Sequence, residues 1–100
     1  MSDVAISQNG ISIRLPDERW QHIVERHNVL SDQKQFVLNT ISNPTRILQG
    51  NEGALIAIQE LESNRWLVVV YREEQDDGFI ITAFPTRRIN SLNRRQQIWP

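Results

Sequence analysis

The chain has no cysteine, and only one of its eleven basic residues is a lysine. Without cysteine there is no disulfide framework, no thiolate metal site and no cysteine nucleophile, so we expect a protein of the reducing cytoplasm. No apolar run approaches the roughly 20 residues that cross a bilayer. The first ten residues also lack the basic start and apolar stretch of a secretion signal. We therefore expect neither a membrane partner nor export.

Net charge is also small, at −1, in a chain that is 39% hydrophobic and 23% charged. These values are typical of one globular domain, which we expect residues 1–100 to form. The charge is nevertheless uneven, because residues 87–99 contain arginines and no acid: Arg87, Arg88, Arg94 and Arg95. Arginine forks suit phosphate oxygens, so this tail predicts RNA contact, with a merely solvated basic surface as the alternative.

Hydrophobic periodicity begins with a strand pattern. Residues 11–15 alternate between apolar and polar, and the preceding Asn9-Gly10 is typical of a hairpin turn. We therefore expect residues 4–8 to pair with residues 11–15 in an N-terminal hairpin.

Two helices are expected next. A proline and two acids open an amphipathic pattern that predicts a first helix over residues 16–29. Ser31 and Asp32 are suitable caps for a second helix over residues 32–42, and Pro44 stops it.

Four strand-like runs follow, separated by short turn-rich segments: residues 46–49, 54–61, 65–72 and 79–84. Connections this short require antiparallel neighbours. The run over residues 65–72 is apolar on both faces, which is typical of a strand inside a sheet. The expected fold is α+β, with an N-terminal hairpin or strand, two helices and a four-stranded antiparallel sheet.

The first helix holds the candidate acid or base. At about 100° per residue, one stripe contains Trp20, Ile23, Val24 and His27, and an adjoining stripe contains Arg19, His22 and Arg26. His22 and Arg26 lie four residues apart and can address one anion, with the imidazole as a general base. The alternatives are a surface His22 and a core His27. A metal site is poorly supported, since the two histidines are five residues apart and no third ligand has suitable spacing.

The last strand holds the second candidate. Alternation places Ile80, Thr82 and Phe84 on one face, so Thr82 is a hydroxyl in an apolar row. Arg87 and Arg88 follow soon after this strand, which predicts a phosphate-binding end of the sheet. A structural threonine is the alternative, because threonine is a good strand former.

These segments resemble the phage- and toxin-associated branch of the barnase, EndoU, colicin and RelE (BECR) group of small RNases. The similarity runs from Leu15 to Trp99 and is carried by two segments: Trp20-Gln21-His22-Ile23-Val24-Glu25-Arg26-His27 and Ile81-Thr82-Ala83-Phe84-Pro85-Thr86-Arg87. It implies a toxin-like endoribonuclease without metal or cofactor, which cleaves RNA by 2′-hydroxyl attack to a 2′,3′-cyclic phosphate. Besides RNA, an antitoxin or immunity protein would be its partner.

The resemblance also assigns roles. Catalysis falls to His22, Arg26, His27 and Thr82, and RNA phosphates contact Arg19, Arg87, Arg88 and Arg95. In an ideal helix His22 and His27 point about 140° apart, so both serve one site only if the helix loosens before His27. The competing hypothesis is a non-catalytic RNA- or protein-binding module of the same fold.

Overall fold

The computed structural model describes residues 2–100, in which seven strands and three helices are present. The strands are β1 (Ser2–Ile6), β2 (Ser12–Pro16), β3 (Arg46–Gln49), β4 (Leu55–Glu62), β5 (Arg65–Glu74), β6 (Asp77–Thr86) and β7 (Gln97–Trp99). The helices are α1 (Asp17–Arg26), α2 (Lys34–Ser42) and the short α3 (Ile89–Leu92). All strands join one sheet in the order β1-β2-β6-β5-β4-β3-β7.

The expected four-stranded antiparallel sheet with two helices is wrong, although the structure is α+β. Strands β3 to β6 do pair antiparallel in chain order, with β5 inside the sheet. However, the N-terminal hairpin joins this sheet, because β2 pairs with β6 in parallel. Strand β7 extends the other side by pairing with β3. Short connections predict pairing only between strands that follow one another in the chain. They therefore could not predict that β2 pairs with β6 or that β7 pairs with β3.

The parallel junction of β2 with β6 contains a buried glycine and an exposed ion pair. A Cβ at Gly78 would overlap the backbone carbonyl oxygen of Arg72 on β5 and lie 2.6 Å from Cδ1 of Ile13 on β2, so glycine is required chiefly where β6 lies against β5. Arg14 donates from Nε and Nη2 to the two carboxylate oxygens of Asp77, at 3.2 and 3.0 Å. These bonds lower the pKa of Asp77.

Helices α1 and α2 cover one face of the sheet. Helix α1 has acids in its first turn and Arg26 in its last, which suits the helix dipole. The apolar faces of α1 and α2 pack against the sheet and enclose the main core. Its fully buried members include Ile13, Leu15, Ile23, Leu30, Val37, Ile41, Leu67, Val69 and Tyr71.

Both helices are shorter than expected. Helix α1 ends at Arg26, and a tighter turn at Asn28–Leu30 follows, in which Leu30 enters the core. Helix α2 begins at Lys34 after Gln33, and no side chain caps it, so the predicted Ser31 and Asp32 caps are wrong. The buried Leu30 anchors the turn between α1 and α2. Helix α2 therefore starts at Lys34, after the residues that were expected to cap it.

A β-bulge in β6 separates two residues that alternation placed on one face. Tyr71 lies opposite Ile80, whereas the preceding Val70 lies opposite Thr82, so Ile81 is the extra residue. Ile80 therefore joins the core under the helices, and Thr82 with Phe84 faces the other side. The expected common face of Ile80 and Thr82 is wrong for this reason.

Tyr71 is fully buried, and its hydroxyl makes no hydrogen bond to any of residues 2–100. Burial, with a smaller effect of the Glu73 carboxylate, raises its pKa above the ordinary 10.0. We expect Tyr71→Phe to raise the free energy of unfolding by about 1 kcal/mol at neutral pH, since it removes an unpaired buried hydroxyl.

The same variant should gain more in alkali. Above the unfolded-state pKa, tyrosinate forms in the unfolded chain while the folded group stays neutral, so wild-type stability falls as pH rises. Urea unfolding at neutral pH and above pH 10.0 measures both effects, and the single tyrosine allows phenolate absorbance to report on Tyr71 alone. Phenolate formation in the still-folded protein near its ordinary pKa would contradict this.

Candidate functional site

The sheet face away from α1 and α2 carries a cleft of about 340 Å³, which we call the outer-face cleft. Side chains of a second, smaller core surround it, and α3 lies over part of this face. Its apolar lining includes Ile56, Val68, Val70, Phe84 and Leu92, and its polar lining includes Asn51, Glu52, Arg72 and Arg95. Apolar walls with a few polar groups are typical of ligand sites of this size.

Arg72 is a partly buried cation in this cleft. It follows Val68 and Val70 by steps of two along β5, so all three share one face. A Cβ at Gly53 would lie 3.3 Å from Nη1 of Arg72, which shows how closely the loop before β4 approaches the guanidinium. Within residues 2–100, Arg72 makes no side-chain hydrogen bond or ion pair. Its donors are therefore available to an anionic ligand, which would offset the cost of burying the charge.

Arg95 is held at the edge of the same cleft. Its Nη1 donates to the carbonyl oxygen of Gln49 and to Oδ1 of Asn51, both at 3.2 Å. In the described part of the chain these partners are neutral, so the Arg95 charge stays uncompensated. The nearby Glu52 adopts a left-handed backbone conformation, with φ 53°, and no ion pair joins it to Arg72 or Arg95 within residues 2–100. Two cations and one acid leave this lining net positive.

His27 lies against Phe84, a lining residue of the cleft, and α1 ends one residue before His27. Its backbone leaves the helical region, with φ −136° and ψ 71°. Its ring centroid lies 6.2 Å from that of Phe84, with the planes 39° apart. The backbone is fixed by hydrogen bonds with Ile23 and Leu30, at 2.8 and 2.9 Å. The ring nitrogens, in contrast, bond to none of residues 2–100, so both are available for hydrogen bonds with a ligand.

Thr82 lies on the same face between the histidine and Arg72. It stands opposite Val70 and two residues before Phe84, both of which line the cleft. Successive residues on one face of a strand are about 7 Å apart, so Thr82 is one such step from Phe84. Its hydroxyl makes no hydrogen bond to any other residue from 2 to 100. Two arginines thus line the cleft itself, whereas the imidazole of His27 contacts its lining residue Phe84, and the hydroxyl of Thr82 lies one strand step from Phe84.

No protein-family model, curated protein or solved structure matches the chain. The BECR resemblance therefore stays an expectation from the residues. Any function has to be argued from the site itself.

The other predicted residues lie elsewhere. Arg19, His22 and Arg26 are exposed on α1, and no hydrogen bond, ion pair or ring contact joins His22 to Thr82 within residues 2–100. Arg87 and Arg88 are exposed after the end of β6, where the Arg88 backbone N–H donates to Oγ1 of Thr86 at 3.0 Å. All of the assigned roles remain predictions. Among the residues singled out from the sequence, Arg95 lines the cleft, His27 contacts its lining residue Phe84, and Thr82 stands opposite its lining residue Val70.

Arg72 is the cleft residue that the sequence interpretation missed. It precedes Glu73 and Glu74, and such a charged run is typical of a solvated strand end. The available signal was the two-residue step from Val68 through Val70, which places Arg72 on the same face.

Among residues 2–100, no cluster of three or more His, Cys, Asp or Glu side chains could hold a metal ion. No helix in the same range is long and apolar enough to cross a membrane.

Proposed function

We propose that the protein is a metal-independent endoribonuclease that acts in the outer-face cleft. The observation that carries this proposal is Arg72, a partly buried guanidinium with no acceptor among residues 2–100, in a cleft whose lining residue Phe84 contacts the imidazole of His27. Guanidinium N–H groups without a hydrogen-bond partner can bind phosphate oxygens, and an imidazole can transfer protons near neutral pH.

The reaction follows from these groups. His27 takes the proton from a ribose 2′-hydroxyl, and the 2′-oxygen attacks the adjacent phosphorus. The bond to the 5′-oxygen breaks, and that oxygen takes a proton from water. The proton held by His27 then neutralises the hydroxide, which restores the base and leaves a 2′,3′-cyclic phosphate and a 5′-hydroxyl. Arg72 and Arg95 stabilise the charge on the phosphate oxygens, and the Thr82 hydroxyl donates to one of them.

RNA suits this site better than DNA does. The 2′-hydroxyl is a nucleophile that RNA places beside its own phosphate, so one base and a cationic cleft are sufficient. Aromatic rings stack on unpaired bases, and Phe84 with His27 offers two such rings at the cleft. An antitoxin or immunity protein would be the partner if the enzyme acts as a toxin.

A second candidate is a non-catalytic module that binds RNA. It is favoured by the exposed Arg87, Arg88 and Arg94, which lie in the basic tail and outside the lining of the cleft. This candidate requires binding without cleavage, and its salt dependence would be controlled by those three arginines.

Arg72→Gln is expected to weaken RNA binding about tenfold and to reduce the slope of log affinity against log salt by about one. The loss follows from removal of one phosphate contact. Fluorescence anisotropy with a single-stranded oligonucleotide that carries a 2′-deoxyribose at the scissile position measures it without cleavage. Arg65→Gln is the matched control on the same strand, because Arg65 is already paired with Glu62 at 2.9 Å. Equal affinity of Arg72→Gln and wild type would exclude this cleft as the phosphate site.

Excess chelator is expected to leave the cleavage rate within about twofold of its value in untreated protein, because His27 and the arginines perform the proposed chemistry. Gel analysis of end-labelled RNA measures the rate and identifies the cyclic phosphate ends. Activity that disappears in chelator and returns with a divalent ion would reject the mechanism.

A further inference from the structure

The two edges of the sheet differ in how they are protected. At one edge β7 has only three residues and is followed by Pro100. At the other edge β1 has five residues, of which Val4 and Ile6 are 50% and 52% exposed. Edge strands are commonly blunted by shortness, proline or an exposed charge. The side of β1 that carries Val4 and Ile6 has no charge or proline. The one charged residue of the strand, Asp3, lies on the helix side, where Lys34 neutralises it at 3.0 Å.

The register determines which backbone groups of β1 face outward. Beyond the end of β1, the Ser7 N–H donates to the Ile11 carbonyl at 2.9 Å. Antiparallel pairs alternate between hydrogen-bonded and non-hydrogen-bonded, so Ala5 and Asp3 bond towards β2. The N–H and C=O groups of the alternate residues, Ser2, Val4 and Ile6, therefore point to the free edge.

We propose that this edge binds a second copy of the chain, with the two β1 strands antiparallel about a twofold axis at Val4. Such an axis pairs Val4 with its own copy and pairs Ser2 with Ile6 of the other subunit. All of these residues present their backbone groups outward, so about six hydrogen bonds can form. The backbone N–H and C=O groups of Val4, the central residue of β1, point to the free edge. Two copies of the strand can therefore bond to each other about a twofold axis at Val4, because a twofold interface uses the same surface on both subunits.

The side chains on both faces suit the same axis. On the outer face Val4 meets its copy, and Ile6 lies diagonal to it, which gives a continuous apolar strip. On the helix side a groove of about 390 Å³ separates β1 from α2, and its lining includes the amides Gln35, Asn39 and Asn43. Asn43 Nδ2 donates to Asn39 Oδ1 at 2.9 Å, and none of these amides carries a charge, so the approach of a second copy meets no like-charge repulsion at this row. A strand of another protein would have to reproduce this pattern, whereas a second copy already has it.

A cysteine at position 4 tests the axis directly, because the chain has no other thiol. Opposed residues in a hydrogen-bonded pair have Cα atoms about 5.5 Å apart, which is within disulfide range. We expect Val4→Cys to form a disulfide dimer at least about tenfold faster than two controls of similar exposure, Val29→Cys and Ile98→Cys, which are 46% and 45% exposed before substitution.

Sedimentation of wild-type protein should show a monomer–dimer equilibrium with a Kd on the order of 10 µM, as expected for a small interface. Val4→Lys should be monomeric at the same concentrations, with an unchanged circular dichroism spectrum, while Ile98→Lys dimerises like wild type. A monomeric wild type at about 1 mM, a dimer that persists in folded Val4→Lys, or equal cross-linking of the three cysteine variants would overturn the proposal. The cysteine comparison decides the question if Val4→Lys does not fold.

Discussion

His27→Ala is expected to lower the rate of RNA cleavage by about 100- to 10,000-fold, the usual cost of removing a catalytic acid or base. His22→Ala is the matched control, because it removes the other histidine of the chain from an exposed position on α1. It should change the rate by less than about threefold. RNA binding should be nearly unchanged in both variants, since the arginines of the cleft remain.

Single-turnover cleavage of a single-stranded RNA measures this effect across a range of pH. The wild-type rate should fall in acid, because a protonated imidazole cannot accept the 2′-hydroxyl proton, and the residual rate of His27→Ala should lack this dependence. If His22→Ala is the inactive variant, the site lies on the outer surface of α1 instead. If wild-type protein binds RNA without cutting it, the non-catalytic binding module replaces the enzyme.

Gly78→Ala is expected to cost about 3 kcal/mol of unfolding free energy, because the added methyl group would overlap the Arg72 carbonyl and contact Ile13. Relief of the backbone overlap requires β6 to move away from β5, whereas the Ile13 side chain can shift on its own. Urea unfolding followed by circular dichroism measures the loss.

Gly10→Ala is the control for this effect. A Cβ at Gly10 would meet nothing within 4 Å, and only its φ of 81° opposes the substitution. That strain should cost about 1 kcal/mol. Equal losses in the two variants would show that close packing of β6 against the Arg72 carbonyl is not what requires glycine at position 78.

Local patterns predicted the elements that depend on near neighbours. The strand over residues 46–49 is confirmed to the residue, and the other three strands extend beyond or shift from the predicted limits by one or two residues. Helix α3 and strand β7 have four and three residues, which is too short for any period to be detected. The pairing of β2 with β6 joins residues that are far apart in the chain, and no local pattern reports such a contact.

The same distinction applies to the candidate site. Thr82 could be placed from strand alternation, but the bulge at Ile81 that turns Ile80 to the helix side could not. The spacing of about 100° per residue used for the predicted first helix placed His22 and His27 on one continuous helix. The structure ends α1 at Arg26, so His27 takes a direction that this spacing does not predict.

The contact between β2 and β6 also affects the order in which the chain can fold. Strands β3 to β6 pair with their neighbours in sequence, whereas joining β2 to β6 closes a loop that contains α1, α2 and three strands. Such non-local closure is slow, and during synthesis it cannot begin before β6 has left the ribosome. Because His27 meets Phe84 on that last long strand, the proposed catalytic arrangement cannot exist in a shorter nascent chain. An RNase built this way would be inert beside the ribosome that makes it until almost all of its sequence had emerged.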